Sequence, residues 1–185
     1  QADIGIVLSN SLIGNLTPFL KKEKICVINN FVEDYVLNNS TYLVKRKSLK
    51  TLKIIYLSNL MVEKGILDLF KALEILEIQG INYEAQIAGN IDSSSKQQID
   101  VCLSKLKNAT YIGVVEGEKK RDLLYWGNVF VFPSYYKMEG QPLAILEAMA
   151  TGNVVLASNH AGISDVFSTK NGLFILEVNP WTIGL

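Results

Sequence analysis

The sequence predicts an α/β fold with a parallel sheet of about six strands and helices on both faces. From Leu52 onward, short apolar runs alternate regularly with longer amphipathic segments, which is the pattern of successive strand–helix–strand units. The chain has 185 residues, of which 49% are hydrophobic and 19% are charged, so it can bury one good core and part of another. We therefore expect one complete domain.

Strands and helices are predicted in strict order after residue 52. The expected strands span residues 53–57, 83–88, 110–112, 129–132, 154–157 and 172–176. The expected helices span residues 64–79, 94–106, 118–126, 142–151 and 164–167. Six strands in this order make a Rossmann-like domain, in which ligands bind at the carboxyl ends of the strands where the winding reverses.

The first 48 residues form a separate segment in this prediction, and residues 49–185 form the main domain. Strands are expected at 4–9 and 25–28, and a helix at 11–20. The polar stretch 38–50 contains three consecutive basic residues and is expected to be a linker or surface loop. A docking patch is the alternative for this basic cluster.

Charge and cysteine content exclude several classes of partner. Eighteen basic and eighteen acidic side chains balance, so nothing global attracts the protein to nucleic acid or to an anionic membrane. Cys26 and Cys102 lie outside any metal or redox spacing and are expected to be free thiols. With no signal peptide and no apolar run of roughly 18 residues, we expect a cytoplasmic protein. Peripheral membrane attachment through a portion outside this chain stays open.

Two glutamates bracket a turn that leads into a helix. Glu139 lies at the predicted helix entrance, and Glu147 lies two turns inside. Pro142 suits the first helical position, where its missing N–H costs nothing, and Gly152 suits the C-terminal stop. The spacing therefore predicts a helix over residues 142–151, with Glu139 at its entrance and Glu147 inside it.

Glu147 is the only charged residue between positions 143 and 150. At helical spacing it shares a face with small side chains such as Ala144 and Ala150. A carboxylate in apolar surroundings is costly to desolvate unless hydrogen-bond donors meet it, and ligand hydroxyl groups are one source of donors. The alternative is that Glu147 lies on the solvated side of a surface helix.

The residues around this pair match a longer motif, "PS..EG.P..ilEAmA.G.pVva". The matching residues are Pro133, Ser134, Glu139, Gly140, Pro142, Glu147, Ala148, Met149, Ala150 and Gly152. In this segment the chain resembles the C-terminal, donor-binding domain of a family 4 (group 1) retaining glycosyltransferase of the two-domain Rossmann-like (GT-B) type. The resemblance implies transfer of a sugar from a nucleotide-diphosphate sugar to an acceptor hydroxyl, with retention of anomeric configuration and without a metal or other cofactor. No cluster of potential metal ligands with the usual spacing is seen in the sequence.

The resemblance also implies roles for individual residues. Glu147 would accept the ribose hydroxyls, and Glu139 would hold hydroxyls of the transferred sugar as the catalytic carboxylate. Val114 and Val115 would lie beside the base. The diphosphate would meet backbone N–H groups at the helix entrance, contributed by Gly140, Gln141, Pro142 and Leu143.

The connection after the first strand of the main domain is a second candidate anion site. It ends a strand and opens a helix, so its N–H groups and the helix dipole offer partial positive charge, to which Lys64 adds a full one. Where the family has Gly and Arg, this chain has Ser58 and Asn59. Loss of the Arg removes a bidentate phosphate clamp, so more of the neutralisation would fall to Lys64. We expect Lys64, Glu139 and Glu147 to converge on one pocket.

A loop after the fifth strand carries His160, the only histidine. The family has Gly-Gly and then Glu in this loop, whereas this chain has Ala161-Gly162 and Asp165. His160 is expected to be an ordinary loop residue, and an acid that protonates the leaving group is the alternative.

Residues 1 to about 30 resemble the tail of the family's N-terminal, acceptor-binding domain. Because the family's active site forms in the cleft between two domains, we expect this chain to be mainly the donor half and to be inactive alone. The acceptor would be a sugar or a lipid-linked glycan. A nucleotide-sugar epimerase or phosphorylase of the same fold and a non-catalytic nucleotide-binding module remain open. A nicotinamide-binding domain is disfavoured because the first turn lacks G-x-G-x-x-G.

Overall fold

The computed structural model describes residues 2–37, 51–166 and 174–176, which form two parallel sheets. The small sheet pairs β1 (Gly5–Val7) with β2 (Ile25–Val27). The large sheet has six strands: β3 (Leu52–Leu57), β4 (Tyr83–Ala88), β5 (Ala109–Gly113), β6 (Val129–Phe132), β7 (Val154–Ser158) and β8 (Phe174–Leu176). Their order is β5-β4-β3-β6-β7-β8, and every neighbouring pair is parallel. The winding therefore reverses between β3 and β6, which confirms the predicted Rossmann-like sheet.

The helices cover both faces of the large sheet. They are α1 (Asp34–Leu37), α2 (Ile66–Ile78), α3 (Lys96–Leu103), α4 (Gly117–Trp126) and α5 (Leu143–Ala150). Short 3-10 segments occupy Asn10–Asn15, Lys22–Lys24, Val62–Lys64 and Ala161–Asp165. The last of these stands where a helix was predicted at 164–167, and position 167 lies outside the described residues.

Alternating residues of β3 separate two hydrophobic cores. Ile55 packs with residues of α4 and α5 on one face. Ile54 and Tyr56 pack with residues of α2 and α3 on the other face. Because β3 is buried on both faces, it needs a nearly continuous apolar run, and this is why the strand could be recognised in the sequence.

Helix α1 joins the first segment of the chain to the main domain. Its Val36 is fully buried within the core between the sheet and α4. The Tyr125 hydroxyl of α4 donates to the Val36 carbonyl at 3.1 Å. The predicted linker at 38–50, with its basic cluster at 45–47, and the chain end after 176 lie outside the described residues.

The structure corrects several predicted helix boundaries: the helix predicted at 94–106 spans Lys96–Leu103, and three other differences have a local cause. The helix predicted at 11–20 is a six-residue 3-10 segment, because Gly14 and Asn15 are weak helix formers and Pro18 lacks an N–H. Helix α2 begins two residues later than predicted, because Gly65 adopts a left-handed conformation with φ of 74°. Pro142 is the N-cap of α5 rather than its first residue, with an extended ψ of 119°.

The predicted stop of α5 is confirmed. Gly152 has φ of 75°, and the Asn153 N–H donates to the Ala148 carbonyl at 2.9 Å, which closes the helix in the manner of a Schellman motif. Among the helices within the described residues, none has the length and apolar character needed to span a bilayer.

Candidate functional site

The loops after β3 and β6 lie side by side at the point where the winding reverses. The Tyr135 N–H donates to the Glu63 carbonyl at 2.9 Å and joins the two loops directly. A Cβ atom on Gly65 would lie 2.2 Å from the Pro133 carbonyl oxygen, so only glycine allows the loops to approach this closely. This close approach brings together side chains from two separate crossovers.

Lys64 and Glu139 form a buried ion pair between these loops. The Lys64 Nζ lies 2.6 Å from Glu139 Oε2, and the two side chains are only 13% and 7% exposed. The Ser134 hydroxyl donates to the same oxygen at 2.6 Å. The Lys64 Nζ also lies 4.7 Å from the centre of the Tyr136 ring, close enough for a cation–π contact. Two of the three charged residues singled out in the sequence are therefore in direct contact.

The contacts with Lys64 and Ser134 involve only one oxygen of the Glu139 carboxylate within the described residues. Both the ammonium group and the hydroxyl bind Oε2, and within the described residues no group donates to Oε1. A carboxylate can accept hydrogen bonds at both oxygens. Oε1 is therefore available to hydroxyl groups of a ligand.

Glu147 forms a second buried ion pair instead of joining the first. It is 4% exposed, so the alternative of a solvated surface glutamate is wrong. Lys120 of α4 places its Nζ 2.6 Å from Glu147 Oε1. Within the described residues no hydrogen bond or ion pair connects Glu147 to Lys64 or Glu139. Each acid of the motif thus has its own lysine.

Lys120 was not identified from the sequence as a site residue. Burial lowers the pKa of its ammonium group, but hydrogen bonds and charge attraction from Glu147 and Tyr35 outweigh this, so the pKa is raised overall. The sequence gives a weak indication that Lys120 faces inward. It lies three residues before Leu123 and four before Leu124, both of which are buried, and residues at this spacing share one face of a helix. Nothing local distinguished its charge from that of the exposed Lys119.

The loop at 140–143 is held by the first segment of the chain. The side-chain amide of Asn30 donates to the Gln141 carbonyl at 2.7 Å, and the Asn30 N–H donates to the Gln141 side-chain oxygen. Within the described residues the N–H groups of Gly140, Gln141 and Leu143 have no acceptor. Pro142 carries no N–H, so its predicted role as a donor is wrong, and its contribution is to set the direction of the chain. Three donors thus remain beside the start of α5.

The other predicted binding residues lie at the same edge of the sheet. Asn59 follows β3 and is exposed, and its carbonyl accepts a hydrogen bond from the buried Tyr56 hydroxyl at 3.1 Å. Val114 follows β5 and is 61% exposed, whereas Val115 packs partly against the core. Val115 also lines a groove of about 460 Å³ beneath α4, but this groove is not lined by either ion pair.

The loop after β7 is held by hydrogen bonds to neighbouring segments of the chain. The His160 Nε2 lies 3.0 Å from the Tyr136 carbonyl, which can only accept, so this ring nitrogen carries the proton. Ala161 has a positive φ of 46°, which is unusual for a residue with a Cβ atom. Asp165 accepts the Ser11 N–H at 2.9 Å, and hydrogen bonds from Ser11 and its neighbours lower the pKa of Asp165. Among the described residues, no three potential metal ligands cluster together.

Comparison with known proteins identifies the family. The family described as glycosyl transferases group 1 matches residues 43–182. The amylovoran biosynthesis glycosyltransferase AmsK of Erwinia amylovora is 30% identical over 120 residues, covering 62% of this chain and 30% of that protein. The sulfoquinovosyl transferase SQD2 of Arabidopsis thaliana is 31% identical over 108 residues, covering 58% of this chain and 21% of that protein. The chain thus spans less than a third of the length of these curated relatives.

Solved structures share the fold over nearly the whole chain. The Anabaena protein Alr3699/HepE in complex with UDP-glucose superposes with a TM-score of 0.79 at 18% identity, covering 99% of this chain and 52% of that protein. Sucrose-phosphate synthase from Thermosynechococcus elongatus superposes with a TM-score of 0.75 at 20% identity, covering 100% of this chain and 48% of that protein. With the family match extending over most of its length, this chain belongs to the group 1 glycosyltransferases.

Proposed function

We propose that this chain binds the donor in a retaining glycosyltransferase of family 4, which transfers a sugar from a nucleotide-diphosphate sugar to an acceptor hydroxyl. The observation that carries the proposal is the Lys64–Glu139 ion pair at the switch point of the sheet. Close to it in sequence are three N–H groups that have no acceptor among the described residues. A cation and N–H donors suit a diphosphate, and a carboxylate with a free oxygen suits sugar hydroxyls. Both kinds of group lie in loops that are joined by the hydrogen bond from the Tyr135 N–H to the Glu63 carbonyl.

The diphosphate would take over part of the positive charge that Lys64 now gives to Glu139. The N–H groups of Gly140, Gln141 and Leu143, together with the dipole of α5, would bind its remaining oxygens. Negative charge develops on the departing diphosphate during transfer, so donors already in place would stabilise the transition state more than the ground state. In this proposal the neutralising charge comes from the protein, and EDTA leaves donor binding unchanged.

The remaining residues would hold the two ends of the donor. Glu139 would accept hydroxyls of the transferred sugar, and Glu147 would accept the ribose hydroxyls. Val114 and Val115 would lie against the base, and Asn59 would lie beside the phosphates. The name of the Erwinia amylovora relative, an amylovoran biosynthesis glycosyltransferase, supports a role in glycan assembly, with a sugar or lipid-linked glycan as acceptor.

The donor can be identified by ligand-induced stabilisation of the intact protein. UDP-, GDP- and ADP-sugars are screened by thermal shift, since a ligand at a hundred times its Kd stabilises the native state by about 2.7 kcal/mol. We expect one base to stabilise clearly and Lys64→Met to abolish the effect, whereas Lys71→Met, at an exposed lysine of α2, leaves it intact. If none of the three donor classes stabilises the intact protein, the proposal is wrong.

A measurement of product formation distinguishes the proposed transferase from a module that only binds nucleotide. The intact protein with donor and acceptor should yield a glycoside of unchanged anomeric configuration, as judged by NMR, and the present chain alone should bind nucleotide without turnover. A non-catalytic module would instead bind nucleotide in a Glu147-dependent manner in the intact protein yet form no product. Inversion at the anomeric carbon would overturn the assignment of retention.

A further inference from the structure

Lys120 neutralises the second acid of the motif from a different helix. We propose that Lys120 is a positioning residue that holds Glu147 as an ionised carboxylate with one oxygen directed to the ribose of the bound nucleotide. This inference rests on the proposed function of the site. It adds a residue from α4 to a binding motif that the sequence places wholly in the segment from 133 to 152.

The geometry divides the two oxygens of Glu147 between protein and ligand. The Lys120 Nζ lies 2.6 Å from Oε1, and the two side chains are 21% and 5% exposed. Within the described residues no group donates to Oε2. Lys120 thus fixes one oxygen, and the other is left to accept hydroxyl groups. A ribose carries two vicinal hydroxyl groups, and these can donate hydrogen bonds to the remaining oxygen of Glu147.

The position of Lys120 is itself fixed from α1. The Tyr35 ring centre lies 5.6 Å from the Lys120 Nζ, within cation–π range. The Tyr125 hydroxyl holds α1 against α4 through the Val36 carbonyl at 3.1 Å. The ammonium group is therefore confined between an aromatic ring and a carboxylate, and this reduces the number of positions from which it can bind Glu147.

A lysine is needed here because the ligand's donors are present only when the ligand is bound. A buried carboxylate with no donor is costly, and it takes up a proton more readily. Within the part of the chain that the structure describes, the ionisable groups facing Glu147 are Lys120 and, through it, Tyr35. Strands β6 and β7 pack on α5 without any ionisable side chain, and Asp34 of α1 is exposed. Without Lys120, no cation within the described residues would compensate Glu147 before the nucleotide arrives.

The experiment compares ribose and deoxyribose binding in the intact protein. Wild type, Lys120→Met and the control Lys119→Met are titrated by calorimetry with UDP and 2′-deoxy-UDP, or with the corresponding GDP pair if GDP binds the wild type. We expect Lys120→Met to weaken ribonucleotide binding by about tenfold or more, the fold-change that corresponds to one charge-assisted hydrogen bond. Binding of the deoxy form should change much less, so the preference for ribose is lost. Lys119→Met should behave as wild type, because Lys119 is exposed.

A pH profile distinguishes positioning from a general loss of structure. Between about pH 8 and about pH 5.5, ribonucleotide affinity should fall more steeply in Lys120→Met than in wild type, because a buried carboxyl group without its cation takes up a proton more readily. Lys120→Arg should restore both the ribose preference and the wild-type profile. If Lys120→Met does not fold, Lys120→Gln, which keeps a donor without the charge, provides the same comparison.

The outcomes separate this inference from the proposed function. A wild type that binds no nucleotide, or whose binding is unaffected by Glu147→Gln, contradicts the proposed function itself. A wild type with Glu147-dependent binding, combined with a folded Lys120 variant that keeps the ribose preference and the wild-type pH profile, refutes the positioning role alone.

Discussion

Replacing Lys64 by methionine removes the cation between the two loops and leaves Glu139 buried. Glu139 is 6% exposed and would keep only the Ser134 hydroxyl as a donor, at 2.6 Å. Breaking a buried pair by removing one partner costs about 3–5 kcal/mol, and the remaining hydroxyl places this case near about 3 kcal/mol. We expect Lys64→Met to lower the free energy of unfolding by this amount in urea titrations.

A double variant tests whether the lost stability comes from the uncompensated charge of Glu139. Glu139→Gln in the Lys64→Met background removes the uncompensated charge, so most of the lost stability should return. Nucleotide binding should not return, because the cation that faces the diphosphate is still missing. Lys96→Met is the matched control, since that ammonium group is 61% exposed and its partner Asp100, at 3.1 Å, is 51% exposed, so neither charge is buried. It should change stability by less than about 0.5 kcal/mol.

Two results would refute this reasoning. If Lys64→Met unfolds as wild type does, the pair contributes little and Glu139 is compensated by other means. If the double variant recovers both stability and nucleotide binding, Lys64 serves the fold and not the diphosphate. Equal m-values across the four proteins are required, because a changed m-value would indicate an altered denatured state.

Four further substitutions test the loops around the site. Ala161→Gly should raise the free energy of unfolding by about 0.5 kcal/mol in urea titrations, since relief of left-handed strain exceeds the added entropy of the unfolded glycine. Gly162→Ala should lower it by about 2 kcal/mol or more, because the new Cβ would lie 2.2 Å from a backbone oxygen. Asp165→Asn should destabilise at neutral pH, where the carboxylate accepts the Ser11 N–H. Because the folded pKa of Asp165 is lowered, the deficit should shrink in pH-dependent unfolding as the pH falls below 3.8, and a constant deficit would contradict this. Asn59→Arg should tighten nucleotide binding by about tenfold in calorimetry, because the guanidinium group can donate two hydrogen bonds to the phosphates.

The large sheet could be predicted because its strands and helices are specified locally. Apolar runs such as 129–132 define strands, and Gly152 ends α5 whatever lies around it. The contact between Lys64 and Glu139 follows from topology, since both come after strands that adjoin at the switch point. These features depend on chain order and short-range geometry, which the sequence contains.

The role of Lys120 could not be predicted, because it depends on how α4 packs beside α5. In the sequence it is one of two adjacent lysines, and only the packed helices show which of them reaches Glu147. Asn30 was overlooked for the same reason, since it contacts Gln141 across 111 positions of sequence. Ion pairs and hydrogen bonds between distant segments are set by tertiary packing, so local patterns carry little information about them.

The net charge of the site explains why a substitution at position 59 tests where the diphosphate binds. Two lysines and two glutamates meet in two pairs, so the ionisable groups of the site carry no net charge before a ligand binds. A diphosphate would bring at least two negative charges to this neutral arrangement, so the bound site would be negative even where Lys64 turns to the phosphates, with the N–H groups and the helix dipole as partial compensation. An arginine at the exposed position 59 would supply the missing charge. The control Asn90→Arg, at another exposed position beyond the end of the neighbouring strand β4, should raise affinity far less if local geometry matters. Equal gains from both variants would show that only the overall field attracts the nucleotide, and the assignment of this loop to the diphosphate would then lose its support.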